Sequence, residues 1–148
     1  MTVARQIQPM AMPEENALRS WHFKQLKWSL QALAAAGSDQ LALFPDFVVK
    51  ADELALDFDH WADVVRTNYE TELTRPQAES LDAINRKLST MSRDGVEFDV
   101  ELWTEAALCS SEHWAGVRRL AASALEAFEW PVELPPENPN DRGSVFVR

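Results

Sequence analysis

The chain has 148 residues, of which 46% are hydrophobic, and its 24 acidic side chains outnumber 14 Lys and Arg, giving a formal net charge of −10. This length suits one domain with a buried core, and the acid excess excludes nucleic acid and anionic membranes as expected partners. A single cysteine leaves no disulfide within the chain, and no apolar run suits a bilayer span or a secretory signal, so a bacterial-type cytoplasmic protein is expected.

The N-terminal part of the chain predicts an arm followed by a long helix. Residues 1–13 contain two prolines and no helical period, which favours an extended arm. Pro13 followed by two glutamates is typical of a helix start. This helix is expected over residues 14–36, and Gly37 is expected to end it in a left-handed conformation. A short turn over residues 40–44 should follow.

The next segment is ambiguous between helix and strand. Residues 46–56 combine two strand-forming valines with a run of helix-forming residues, and a helical segment is expected, with an extended one as the alternative. Asp57 or Asp59 is expected to cap a helix that continues through Tyr69.

A capping box marks the start of another helix. Thr74 is followed three residues later by Gln77, so each side chain can accept a hydrogen bond from the other residue's backbone N–H, and Pro76 suits the first turn. This helix is expected to end within residues 92–95. The apolar residues of 96–100 alternate with polar ones, which predicts a packed loop or a short strand.

The most regular helical pattern lies between Ser110 and Trp130. Serines precede it, Pro131 is expected to stop it, and residues 102–109 are expected to add a helical turn or two. Its apolar stripe, spaced by three and four residues, consists of Trp114, Val117, Ala121, Ala124, Leu125 and Phe128.

Together these elements predict an all-α fold. Four to five helices joined by short connections favour a compact antiparallel bundle, forming one domain over residues 14–130. The extended arm over residues 1–13 precedes this domain. Four prolines in residues 131–148 predict an extended Pro-rich tail after it.

Polar side chains interrupt the apolar face of the first long helix. His22, Gln25 and Ser29 lie three and four residues apart, so they share one side of a helix. A buried polar group without a partner costs roughly 1–3 kcal/mol. These residues are therefore expected either to bond to one another and to neighbouring helices, or to line a pocket between helices together with His113.

The sequence contains no recognisable catalytic constellation, so no catalytic residue, metal or cofactor is predicted. Cys109 has no base and oxyanion site associated with it, and it is expected to be a small buried hydrophobe. Asp57, Asp59, His60 and Asp63 are close enough in sequence to approach one cation. They lack the Glu-x-x-His pairs of bundle metal sites, which favours a solvated acidic face.

Acidic residues are concentrated in two segments. Residues 46–79 contain nine acidic and three basic side chains, and residues 97–129 contain seven acidic and two basic ones. Side by side they would form a negative face, on which exposed tryptophans could anchor a cationic protein. The predicted protein-binding residues are Asp52, Glu53, Asp57, Asp59, Trp61, Asp63, Trp103 and Glu105.

Three functions are consistent with these patterns. The leading hypothesis is a non-catalytic acidic module that binds another protein, in its sharpest form an immunity- or antitoxin-like inhibitor of a basic protein. The second is an enzyme or small-ligand binder that uses a pocket around His22, Gln25 and Ser29. The third is a structural homo-oligomer, for example a dimer, that pairs through its terminal arms.

Overall fold

Helices dominate the computed structural model, which describes the backbone of residues 3–136 and the side chains from residue 14 onward. They are α1 (Val3–Ala34), α2 (Gly37–Ala42), α3 (Lys50–Tyr69), α4 (Arg75–Met91), α5 (Glu105–Ser110) and α6 (Glu112–Ala127). Two 3-10 turns, Glu70–Glu72 and Val100–Trp103, lie in the connections. Within this described part there is no strand, which confirms the all-α fold class, and no helix has the length and apolarity needed to cross a bilayer.

The four long helices form an antiparallel bundle. The first turn of α4 lies beside the end of α6, where the Gln77 amide donates to the Ala127 carbonyl oxygen at 3.3 Å. Near the opposite ends of these two helices, Lys87 and His113 are in hydrogen-bond contact. Helix α1 packs along both α3 and α6, so the four helices enclose a single core.

The apolar stripe predicted for the final helix is confirmed, because all six of its residues are buried. Trp114 is the largest of them, and its indole N–H donates to the Leu102 carbonyl oxygen at 2.6 Å. The ring of Trp103 packs edge-on against it, with 5.4 Å between ring centroids. Since a buried tryptophan removes roughly 150–250 Å² of surface from water, Trp114 holds the 3-10 turn Val100–Trp103 against the bundle.

Local capping signals fix several helix ends. The capping box at the start of α4 is confirmed, with 2.9 Å from the Thr74 N–H to Gln77 Oε1 and 3.2 Å for the reciprocal bond. At the end of α6 the chain passes through a left-handed residue, Glu129, with φ 61°, and the next N–H bonds back to the Leu125 carbonyl. This Schellman geometry ends the helix before Pro131 is reached.

The extended arm predicted for residues 1–13 is not observed over residues 3–13, where the backbone continues α1. This segment is rich in Ala, Gln, Arg and Met, which favour helix strongly. The prediction of an arm relied on Pro9 and Pro13, since a proline inside a helix removes a backbone donor and its ring crowds the carbonyl four residues earlier.

The ambiguous middle segment is resolved as helix from Lys50 onward. Helix α3 is continuous to Tyr69 and its N-cap is Val49, so the prediction that Asp57 or Asp59 caps it is wrong. The helix starts early because Lys50 is buried and donates to the Leu41 carbonyl oxygen at 2.8 Å, which ties the first turn of α3 to α2. That contact is tertiary and leaves no local mark in the sequence.

The prediction that Gly37 ends α1 in a left-handed conformation is wrong, because Gly37 is the first residue of α2. A Cβ at this position would lie 2.6 Å from the Leu108 carbonyl oxygen and 2.7 Å from the Cα of Cys109. Glycine is therefore needed because α2 crosses α5 at very short range. The prediction that Cys109 is buried is also wrong, since Ala107 and Leu108 are the α5 residues that enter the core and the thiol is exposed.

The segment that follows α6 has no regular secondary structure over residues 131–136, in agreement with an extended tail. The Gln31 amide donates to the Pro131 carbonyl oxygen at 3.1 Å, which fixes the start of this segment against α1. The rest of the tail and the side chains of the arm lie outside the described residues, so pairing through the termini stays a prediction.

Candidate functional site

An open groove lies between α3, the end of α4 and the connection that follows α4. Its volume is about 420 Å³, and it is lined by Asp52, Ala55, Leu56, Ser92, Arg93, Phe98, Val100 and Trp103. A second depression of about 350 Å³ shares four of these residues and continues along both helices past Asp59, Asn85, Leu88 and Ser89. We call the combined feature the α3–α4 groove.

The groove exists because α3 and α4 are held mainly from their other sides. Helix α3 packs chiefly on α1, and α4 packs chiefly on α6, whereas α3 and α4 make few contacts with each other. The splayed pair leaves apolar side chains uncovered. Leu56 is 60% exposed, Val100 68% and Phe98 38%.

The upper wall of the groove is the connection after α4, which folds back onto that helix. A Cβ on Gly95 would lie 2.3 Å from the carbonyl oxygens of Ser89 and Thr90, so only glycine permits this close approach. The connection contains no strand, and Val96 is 93% exposed, so the alternating pattern of residues 96–100 does not reflect packing into the core.

Hydrogen bonds of Glu97 with Thr90 and Lys87, which we call the latch, attach this connection to α4. Glu97 Oε1 accepts hydrogen bonds from Thr90 Oγ1 at 2.5 Å and from Lys87 Nζ at 3.0 Å, and these bonds lower the pKa of the Glu97 carboxyl. Lys87 Nζ also donates to His113 Nδ1 at 2.9 Å. Because an ammonium group only donates, His113 Nδ1 is the acceptor in that contact. The latch holds Phe98, one residue further along, at the groove wall.

Trp103 forms a rigid part of the wall. Its indole N–H donates to the Met91 carbonyl oxygen at 2.9 Å, at the end of α4. The edge-on contact with Trp114 fixes the other side of the ring. One face of a half-buried tryptophan is thus presented to the groove in a fixed orientation, which is the kind of side chain that anchors protein interfaces.

The rim of the groove is mainly acidic. Asp52 and Asp59 stand on the α3 side, and both are exposed. Exposed Asp99 and Glu101 flank Val100 in the chain. Among the lining residues the one basic side chain is Arg93, whose guanidinium lies 5.9 Å from the centroid of the Phe98 ring.

The structure brings together three of the eight residues predicted to bind protein. Asp52, Asp59 and Trp103 line the α3–α4 groove. The others lie outside its lining, namely Glu53, Asp57, Trp61, Asp63 and Glu105. Sequence reasoning missed Leu56, Phe98 and Val100, since an apolar residue that stays exposed looks the same in sequence as one that is buried. It also missed Arg93, which no local pattern marks as a site residue.

In the described part of the chain, the polar residues of α1 and His113 lie in separate places and share no hydrogen bond. The Ser29 hydroxyl donates to the Leu26 carbonyl oxygen, and His22 Nδ1 lies 2.9 Å from the Tyr69 hydroxyl. Burial lowers the pKa of His22, and His60 lowers it further. The cavity beside Gln25 and Ser29 measures about 10 Å³, which is room for about one water molecule, and His113 contacts Lys87 of α4 instead.

Gln25 is the one residue of that strip whose hydrogen bonds are not made. Its side chain is 1% exposed, and neither its amide nitrogen nor its amide oxygen has a hydrogen-bond partner. Leaving a buried amide unpaired costs roughly 1–3 kcal/mol. Gln25 is therefore a buried position at which an apolar side chain of the same length is expected to raise stability.

The acidic group on α3 does not converge on a point. Asp59, His60 and Asp63 are exposed along the helix, and His60 packs edge-on against Trp61 with 4.4 Å between centroids. Among the side chains that the structure describes, no three His, Cys, Asp or Glu residues are arranged to hold a metal ion.

Comparison of the chain with protein-family models, with curated proteins and with solved structures found no match.

Proposed function

We propose that this chain is a non-catalytic, acidic protein-binding module that binds a basic protein through the α3–α4 groove. In its sharpest form the proposal is an immunity- or antitoxin-like inhibitor in a bacterial cytoplasm. The observation that carries it is an exposed apolar surface, with Leu56 on the groove floor and Phe98 and Val100 in the connection after α4, beside the acidic side chains of Asp52 and Asp59.

The apolar floor supplies affinity in this proposal. Exposed apolar side chains grouped in a concave surface commonly mark interaction sites, since burying them releases roughly 25 cal/mol per Å². Trp103 adds a rigid aromatic face that needs no ordering on binding, because the Met91 carbonyl and Trp114 already hold it.

The negative charge of the protein favours basic partners and raises the rate at which they associate. A net charge of −10 attracts cationic proteins over about 8–10 Å at physiological salt and repels acidic ones. Asp52 and Asp59 place part of that charge beside the apolar floor, where it selects basic side chains on a docking surface.

Affinity capture from the native cell, with matched surface variants, tests the proposal. Leu56→Asp places a charge on the groove floor, and Leu134→Asp places the same charge on an equally exposed apolar residue elsewhere. We expect a cationic protein to be retained by the wild type and by Leu134→Asp, released by added salt, and lost with Leu56→Asp. Retention of the same protein by all three baits would refute the groove as the binding site, and capture of no cationic protein would refute the function.

A further inference from the structure

We propose that the segment of the partner that enters the α3–α4 groove is an amphipathic α-helix with basic residues along one flank, lying lengthwise between α3 and α4. This assignment of the occupant rests on the proposed function. It adds the secondary structure of the bound segment and the placement of its charges.

The lining residues follow the two helices at helical spacing. On α3 the groove runs from Asp52 through Leu56 to Asp59, and on α4 from Asn85 to Ser92. Seven residues of helix span about 10.5 Å, so each wall is about two turns long. A gap between two antiparallel helices presents parallel ridges of side chains, and a third helix fills such a gap by packing its own ridge into it.

The apolar side chains on the groove floor require a matching apolar stripe on the bound helix. Ala55, Leu56 and Leu88 line the floor between the two helices. Phe98 and Val100 extend the apolar surface beyond the end of α4. A helix with apolar residues at i, i+3 or i+4, and i+7 matches this line of contacts.

The rim dictates the charges on either side of that stripe. Asp52 and Asp59 lie two turns apart on the α3 side, so Lys or Arg residues seven apart on the occupant would face both. On the α4 side Arg93 lines both parts of the groove and favours an acidic or neutral residue there. The occupant is therefore basic on the flank that faces α3.

Two other common modes of peptide binding fit less well. Addition of a strand needs a sheet edge, and the residues that the structure describes contain no strand. Binding of a polyproline segment uses aromatic side chains that donate to its carbonyl groups, but the indole N–H of Trp103 is already bonded to Met91.

The test uses fluorescein-labelled peptides of about 18 residues, roughly 27 Å as a helix, and fluorescence anisotropy with the full chain. One peptide carries leucines at helical spacing and lysines on one flank, and the other contains the same residues in scrambled order. We expect the patterned peptide to bind at least about tenfold more tightly than the scrambled one, with binding weakened by salt.

Surface variants locate the binding. Leu56→Asp and Val100→Asp change exposed residues and are expected to weaken the patterned peptide at least about tenfold, whereas Leu134→Asp leaves its affinity within about twofold. Circular dichroism of each variant confirms that the bundle is intact. Two independent groove variants, one on α3 and one in the connection, keep the result from depending on one substitution.

Several results would overturn this assignment. Equal binding of the scrambled peptide, no binding of the patterned one, or binding that ignores both groove variants would each contradict it. So would a concentration-dependent dimer of the chain alone that Leu56→Asp dissolves, because the groove would then hold a second copy. If the protein captured from cells is lost with Leu56→Asp but the patterned peptide does not bind, the proposed function survives and the helical occupant does not.

Discussion

Replacing the unpaired amide of Gln25 should make the protein more stable. Gln25→Met keeps the length and nearly the volume of the side chain while removing two polar atoms that make no hydrogen bond in the core. Burying the amide without partners lowers the free energy of unfolding by roughly 1–3 kcal/mol. Less complete packing of the methionine thioether offsets part of the gain expected from removing it. We expect a net gain of about 1–2 kcal/mol, which for a chain of this size raises Tm by about 2–8 °C.

Gln40 supplies the matched control. It is buried as completely as Gln25 and its amide oxygen also has no partner, but its amide nitrogen donates to the carbonyl oxygens of Ala32 and Leu33 at 3.0 and 3.1 Å, at the end of α1. Gln40→Met removes both bonds and leaves the Ala32 carbonyl with only the Ala35 N–H as a donor, so it should destabilise the protein by roughly 1–3 kcal/mol. The same substitution is thus expected to have opposite signs at two buried positions.

Urea unfolding followed by circular dichroism measures both variants, with an unchanged m-value as the sign that only stability has moved. A loss of stability in Gln25→Met would refute the reasoning, because it would mean that the amide is satisfied in the folded protein. A gain in both variants would show that the hydrogen bonds of Gln40 contribute less than its desolvation costs.

Three further predictions concern backbone geometry and pH. Glu129→Gly should stabilise the protein by about 1 kcal/mol in urea unfolding, since a side chain at φ 61° is strained and glycine is not; a loss would show that Glu129 makes compensating contacts. Gly37→Ala should lower the free energy of unfolding by roughly 1–3 kcal/mol, because its Cβ would meet the backbone of α5. Gly116→Ala is the control: its Cβ finds nothing nearer than 3.8 Å, so this ordinary helix position should gain up to about 1 kcal/mol. A gain in both variants would contradict the close crossing of α2 and α5. Because the pKa of Glu97 is lowered in the folded protein, its carboxylate stabilises the fold above the usual pKa of 4.5, and this contribution is lost as pH falls through the lower folded-state pKa. Glu97→Gln should therefore be less stable than wild type at neutral pH, and the two stabilities should converge in acid. A difference in stability that stays constant from pH 7 to acid would exclude the latch as the cause.

Hydrogen exchange of the connection after α4 provides a second measurement on Glu97→Gln. Glu97 fixes the connection to Lys87 and Thr90, and Phe98 follows directly in the chain. Loss of the latch should increase amide hydrogen exchange in the connection after α4 more than in α1, because local opening is easiest where few buried contacts oppose it. Peptide binding to the groove should reverse that increase.

Local interactions explain what could be read from the sequence by itself. The capping box of Thr74 and Gln77 joins residues three apart, and the stripe of α6 depends only on the period of one helix, so the all-α class, the start of α4 and the core face of α6 were predictable. The concentration of acid around Asp52 and Asp59 was equally visible, because it is a property of composition.

Tertiary structure alone decided the features that depend on which elements meet. Gly37 is required by the backbone of α5, and Lys50 is buried because α2 offers it a carbonyl. The amide nitrogen of a buried glutamine has protein partners at position 40 and none at position 25. The α3–α4 groove belongs to the same group, since it depends on α3 packing chiefly on α1 and on α4 packing chiefly on α6, with few contacts between α3 and α4. Helical periodicity shows which side of a helix is apolar, but whether that side is covered depends on the positions of other helices.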